Sequence, residues 1–144
     1  GQIGGFYNAV SFVTALVMVG YTKRYGAPKV HALCLTLSGV GMWFIPQIQS
    51  QAWLFLPAVG VGLGWASIMG NPYVMLARSV PPERTGVYMG IFNMFIVIPL
   101  LLGGFIVNQL YDTVFAGDPR NVLMVAGVLM GCAALATLRV KVPD

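Results

Sequence analysis

Polar and apolar positions along this chain fall into blocks. Asp, Glu, Lys and Arg are missing from residues 1–22, 30–77, 85–111 and 121–138, and gather in the short segments between them. A helix that crosses a bilayer needs about 20 mostly apolar residues. The block 30–77 is too long for one helix rising about 1.5 Å per residue. It must fold back once, and the polar stretch Pro46-Gln47-Ile48-Gln49-Ser50-Gln51 is where it turns. The pattern predicts an all-α polytopic membrane protein with five spans, at about 1–22, 30–46, 53–77, 85–108 and 121–138.

Composition agrees. Hydrophobic residues make up 58% and charged residues 8% of the 144 residues, with mean hydropathy +0.80. A soluble domain carries about 25% charged residues, so this chain lacks the charge to cover a watery surface. Its net charge of +4 is no nucleic-acid footprint, because the basic residues lie in short clusters between apolar blocks. Cys34 and Cys132 stand in separate blocks and read as packing residues. Gly1 opens directly into an apolar run with no charged leader, so the chain reads as part of a longer protein.

Alternating spans put hydrophilic segments on alternate sides. The first, third and last of these hold Lys23, Arg24, Lys29, Arg78, Arg84, Arg139 and Lys141, while the other two hold only Arg120, with Asp112 and Asp118. Lys and Arg favour the cytoplasmic side. Residue 1 is therefore expected outside and residue 144 inside, in an integral membrane protein. The turn SVPPERTG at 79–86 is then cytoplasmic. Arg78 and Arg84 suit anionic headgroups there, and Glu83 suits the N-terminus of the following helix.

Candidate chemistry is sparse. No carboxylate or basic group stands at mid-depth in any span. His31, at the start of the second, reads as a headgroup-level residue. One His, two separated Cys and no paired carboxylates leave little for an enzyme, a cofactor or a metal. The polar groups that do enter the spans are neutral. Asn71-Pro72-Tyr73 lies in the third span, where proline bends or breaks a helix and an amide needs a partner. A broken helix beside a polar side chain suits a membrane binding site, and a simple interhelical tie explains Asn71 equally well. Asn93 lies in the fourth span before Pro99, beside Tyr88, Phe92 and Phe95, an amide among aromatics that suits a sugar ring. Trp65 offers a stacking platform, and Tyr7 and Asn8 are weaker candidates in the first span. Glycine pairs four apart, Gly1/Gly5, Gly60/Gly64, Gly86/Gly90 and Gly127/Gly131, would let helices approach closely.

In Gly64-Trp65-Ala66, Asn71-Pro72-Tyr73-Val74-Met75-Leu76 and the stretch from Pro81 to Pro99, PPERTGVYMGIFNMFIVIP, the sequence resembles the major facilitator superfamily. The branch it resembles most is that of the sucrose/maltose (glycoside)–proton symporters, through roughly residues 60–100. The resemblance implies twelve helices in two halves. The five spans would be helices eight to twelve, most of the C-terminal half, with the N-terminal half absent. It implies transport of a di- or oligosaccharide by alternating access, driven by protons whose carboxylate lies elsewhere. Asn71, Tyr73 and Asn93 would face the cavity, with Trp65 and Tyr88 beside them. Two positions depart from the family pattern: Lys23 where an acid is usual, and Leu100 where glutamine often follows the proline. Two alternatives stand beside this expectation, a non-transporting membrane subunit or scaffold and a facilitator for another small solute.

Overall fold

The computed structural model describes residues 1–142. Pro143 and the chain end at Asp144, expected on the cytoplasmic side, lie outside the described residues. Five helices among these are long and apolar enough to cross a membrane. They are α1 (Gln2–Tyr25), α2 (Ala27–Phe44), α3 (Phe55–Ser79), α4 (Thr85–Leu110) and α5 (Pro119–Thr137). Each matches an expected span, with ends shifted by up to three residues in either direction.

The connections follow from local chemistry. A single residue, Gly26, joins α1 to α2, with φ of 88° and its N–H bonded to the Thr22 carbonyl at 3.0 Å. That positive φ lies where side chains other than glycine are strained. Pro28 then sits in the first turn of α2, where its missing N–H costs nothing. Two single turns, Ile45–Gln47 and Gln51–Leu54, carry the chain around the glutamine-rich segment. The turn before α5 uses left-handed Ala116 and Gly117, and the Asp118 carboxylate accepts the Arg120 N–H at 2.8 Å to cap the helix.

Helix α2 is the centre of the packing, lying against α3 on one side and α5 on the other, while α1 lies against α3. The contacts are made by small residues. A methyl group added at Gly39 would stand 2.6 Å from the Gly127 carbonyl oxygen, and one added at Gly127 would stand 2.6 Å from that of Gly39. Gly60 presses its Cα face onto the Leu37 carbonyl, and Gly64 onto the Ser38 side chain. In lipid, such close backbone approach replaces the hydrophobic drive that joins helices in water. The pair Gly60/Gly64 therefore packs as expected, and Gly127 does so too, with the Gly131 nitrogen 3.3 Å from a methyl group placed at Gly39. Gly1, Gly5, Gly86 and Gly90 have no neighbour there at all. Cys34 is buried, but Cys132 is exposed on α5 and is not an interior packing residue.

Of the two readings open at Pro72, a bend or a break, the break does not occur: α3 runs through it as one helix, since proline removes only one backbone bond. His31, at the start of α2 as expected, is buried, 6% exposed, between α2 and α3. Helix α4, the most apolar of the five, buries no residue and touches the rest mainly through α3.

Candidate functional site

The turn at 80–84 brings the ends of α3 and α4 together, and a small polar cluster forms one to two helical turns in from it. The Tyr73 hydroxyl donates to the Asn93 side-chain oxygen at 3.1 Å. The Tyr73 ring meets that of Phe92 edge to face, with centroids 5.2 Å apart. An edge-to-face pair suits the ring quadrupoles and fixes the phenol's direction. Both amide hydrogens of Asn93 stay clear of the Tyr73 bond, since its oxygen is the acceptor there. The Tyr73 oxygen likewise keeps lone pairs to accept with. Asn93 is exposed and Tyr73 half-buried, so the pair stands on an open face of the helices.

Asn71 faces another way. It lies about 200° round the helix from Tyr73 at 3.6 residues per turn. It is 2% exposed. Its side-chain oxygen accepts from the Thr22 hydroxyl at 3.1 Å, and its amide nitrogen donates to the Ser67 hydroxyl at 2.8 Å and the Met18 sulfur at 3.2 Å. Ser67 in turn is 2.8 Å from Nδ1 of His31. The chain Thr22–Asn71–Ser67–His31 thus links α1, α3 and α2 through side chains alone. Among the described residues no buried side-chain nitrogen or oxygen lacks a partner. Asn71 thus makes the bonds of an interhelical tie and also lines an opening between α1 and α3. A parallel contact lies nearer the other end, where the Ser11 hydroxyl shares its proton between the Tyr7 carbonyl at 2.9 Å and the Gly62 carbonyl at 3.0 Å.

Trp65 and Tyr88 are 48% and 38% exposed, on α3 and α4 respectively. Tyr88 lies one turn before Phe92 on the same face of α4. Trp65 stands two turns from Tyr73 along α3, away from the Tyr73–Asn93 pair. An opening of about 300 Å³ between α1 and α3 has Thr22 and Asn71 in its wall, with Lys23 and Arg78 also lining it. Tyr7 lies along the α1–α3 contact, and the Asn8 amide bonds the Gly4 carbonyl on its own helix. The sequence offered no sign of the Ser67–His31 bond. The only clue was a histidine and a serine in blocks otherwise free of charge.

A family model, that of the Major Facilitator Superfamily, matches residues 1–144. The chain belongs to the Major Facilitator Superfamily. Members of this superfamily are transporters rather than enzymes, and the five apolar helices make the chain an integral membrane protein. No curated protein and no solved structure matches it. In a major facilitator transporter the two polar clusters have different chemistry to offer. Asn71 has its oxygen and nitrogen engaged inside the helix block. Tyr73 and Asn93 hold unused donors and acceptors at an open face.

Proposed function

We propose that this major facilitator chain serves the secondary active transport of a sugar, a di- or oligosaccharide such as sucrose or maltose, by alternating access. In this reading residues 1–144 supply helices eight to twelve of a twelve-helix transporter. The N-terminal half completes the cavity, and protons drive uptake through a carboxylate in that half. The basic turns face the cytoplasm of a bacterial inner membrane.

The observation that carries the reading is the exposed Tyr73–Asn93–Phe92 cluster. A phenol and an amide on an open helix face would be costly against hydrocarbon, so such a face suits a wet cavity. The cluster offers two N–H donors, a phenolic acceptor and an aromatic wall within one helix pair, the complement of a hydroxyl-rich ring. Tyr88 extends that aromatic wall by one turn, and Trp65 is the outlying platform on α3. Asn71 contributes by holding α1 and α3 in register behind the cluster and by lining the α1–α3 opening.

The test is uptake of labelled sucrose and maltose into proteoliposomes of the full-length protein, with and without an inward proton gradient. Uptake stimulated by the gradient and weakened in Asn93→Ala is the expected result. A folded protein that moves neither sugar under any gradient removes the sugar assignment. Uptake indifferent to the gradient leaves a facilitator.

A further inference from the structure

Helices α1 and α2 diverge from their single-residue joint at Gly26. Both lean on α3, but they touch each other little. The gap between them is a groove of about 640 Å³. Its walls are Val17 and Met18 from α1, and Val30, Leu33 and Leu37 from α2. Its charge lies only at the closed end. There Tyr21, Tyr25 and Lys29 line it, beside Arg24 of the same turn. The Arg24 guanidinium lies 5.3 Å from the centre of the Tyr25 ring, and the rings of Tyr21 and Tyr25 stack with centroids 6.3 Å apart. The aromatic pair with Lys29 and Arg24 makes a cationic rim on an oily slot, while Lys23 lines the opening between α1 and α3 instead.

A second groove provides an internal comparison. It lies between α2 and α3 at their other ends, holds about 590 Å³, and is lined by Val40, Phe44, Leu56 and similar residues with no charge among them. Lipid tails can enter either slot. Only the first ends in cations at the depth where headgroups lie.

We propose that the α1–α2 groove is a binding site for one anionic glycerophospholipid. An acyl chain lies along Val17, Val30, Leu33 and Leu37, and the phosphate-bearing headgroup meets Lys29 and Arg24. Charge complementarity selects the occupant. A zwitterionic lipid gains less from these two cations, and a helix of ordinary apolar surface offers Lys29 no anion. Gly26 alone joins the two helices, and the slot between them stands open in the structure.

The experiment is native mass spectrometry of the purified full-length protein, delipidated and then offered dioleoyl phosphatidylglycerol or dioleoyl phosphatidylcholine. One retained phosphatidylglycerol per chain is expected, in clear preference to phosphatidylcholine. Lys29→Gln is expected to weaken that retention about fivefold, the effect of one basic residue near an anionic surface. Lys29→Arg should restore it, and Lys141→Gln, a basic residue elsewhere, should leave it unchanged. Leu33→Ser should weaken retention through the tail, while excess glycerol phosphate should not displace the lipid. Equal retention of the two lipids would overturn the proposal. So would Lys29→Gln behaving like Lys141→Gln, displacement by glycerol phosphate, or no retained lipid because another part of the protein fills the slot. Circular dichroism of each variant checks that the helices remain.

Discussion

Helices α2 and α4 are both long enough to cross a membrane, yet α2 buries eight residues and α4 buries none. The more apolar helix is the less buried one. The buried set of α2 is Ala27, His31, Ala32, Cys34, Leu35, Ser38, Gly39 and Gly41, nearly all small or polar. Lipid tails are as apolar as leucine, so leucine-rich surface gains little by leaving them. Small residues gain by letting backbones touch, and polar ones by finding partners. Helix α4 offers Leu, Ile, Phe and Met along most of its length, and only Tyr73, Phe92 and Asn93 tie it to α3. In this chain, polarity and small size mark the packed surface, and hydrophobicity marks the open one.

The largest effect that separates the two regions is expected at glycine. Gly60→Ala would drive a methyl group into the Leu37 carbonyl, and Gly39→Ala would drive one into that of Gly127. Each is expected to destabilise by about 1–3 kcal/mol, the usual cost of overpacking. Gly90→Ala and Gly104→Ala on α4 meet nothing within 4 Å, and should be neutral or stabilising, since alanine is the better helix former. Thermal unfolding in detergent measures all four. A loss at Gly90 as large as that at Gly60 would mean that α4 is packed after all.

A smaller effect distinguishes the two asparagines. Asn71→Ala leaves the Thr22 hydroxyl without its partner inside the block and Ser67 with His31 alone. Interhelical hydrogen bonds in membranes are each worth about 0.6–2 kcal/mol, so a loss of about 1–3 kcal/mol is expected. Thr22→Val should cost less, and the double variant should fall short of the sum, because both remove the same bond. Asn93→Ala, at an exposed position, should change stability by about 0.5 kcal/mol or less. Unfolding of the four proteins side by side decides it, and strict additivity of Thr22 and Asn71 would count against the chain of bonds.

The helices were legible in the sequence because bilayer thickness and missing charge set their length and number. Ends differed by a few residues, since caps such as Asp118 and joints such as Gly26 act locally within segments already polar. The glycine contacts were legible only in part. Spacing singled out Gly60 and Gly64 but gave Gly1/Gly5 and Gly86/Gly90 equal standing, and it passed over Gly39 and Gly41. Which side of a helix meets a neighbour depends on partners distant in sequence, and spacing within one helix carries no such information. The same reason hid the bond of His31 to Ser67, which joins residues 36 positions apart. At Pro72 the sequence left a bend and a break both open, and α3 continues as one helix. Tyr73 and Asn93 were each picked out as polar residues in oily spans. Their direct bond came only from the hairpin that returns α4 along α3.

The smallest structural change with a functional readout is Tyr73→Phe. It removes one oxygen and keeps the ring against Phe92 at the geometry already described. Stability should move by about 0.5 kcal/mol or less, because the lost bond is exposed and Asn93 can turn to other partners. Transport should respond more. If the Tyr73 oxygen accepts from the transported solute, and its proton holds Asn93 in place, losing both weakens binding by about 1 kcal/mol, roughly a fivefold rise in KM with little change in the maximal rate. Asn93→Asp keeps the acceptor for Tyr73 but discards both amide donors, so it separates the two contributions. A raised KM in Tyr73→Phe and also in Asn93→Asp means that phenol and amide both touch the solute. A raised KM in Asn93→Asp alone means that Tyr73 only orients the amide. An unchanged KM in both variants, with the fold intact, would show the open face of α3 and α4 to be a surface without a ligand, and the contrast with the packed block would then be one of lipid exposure alone.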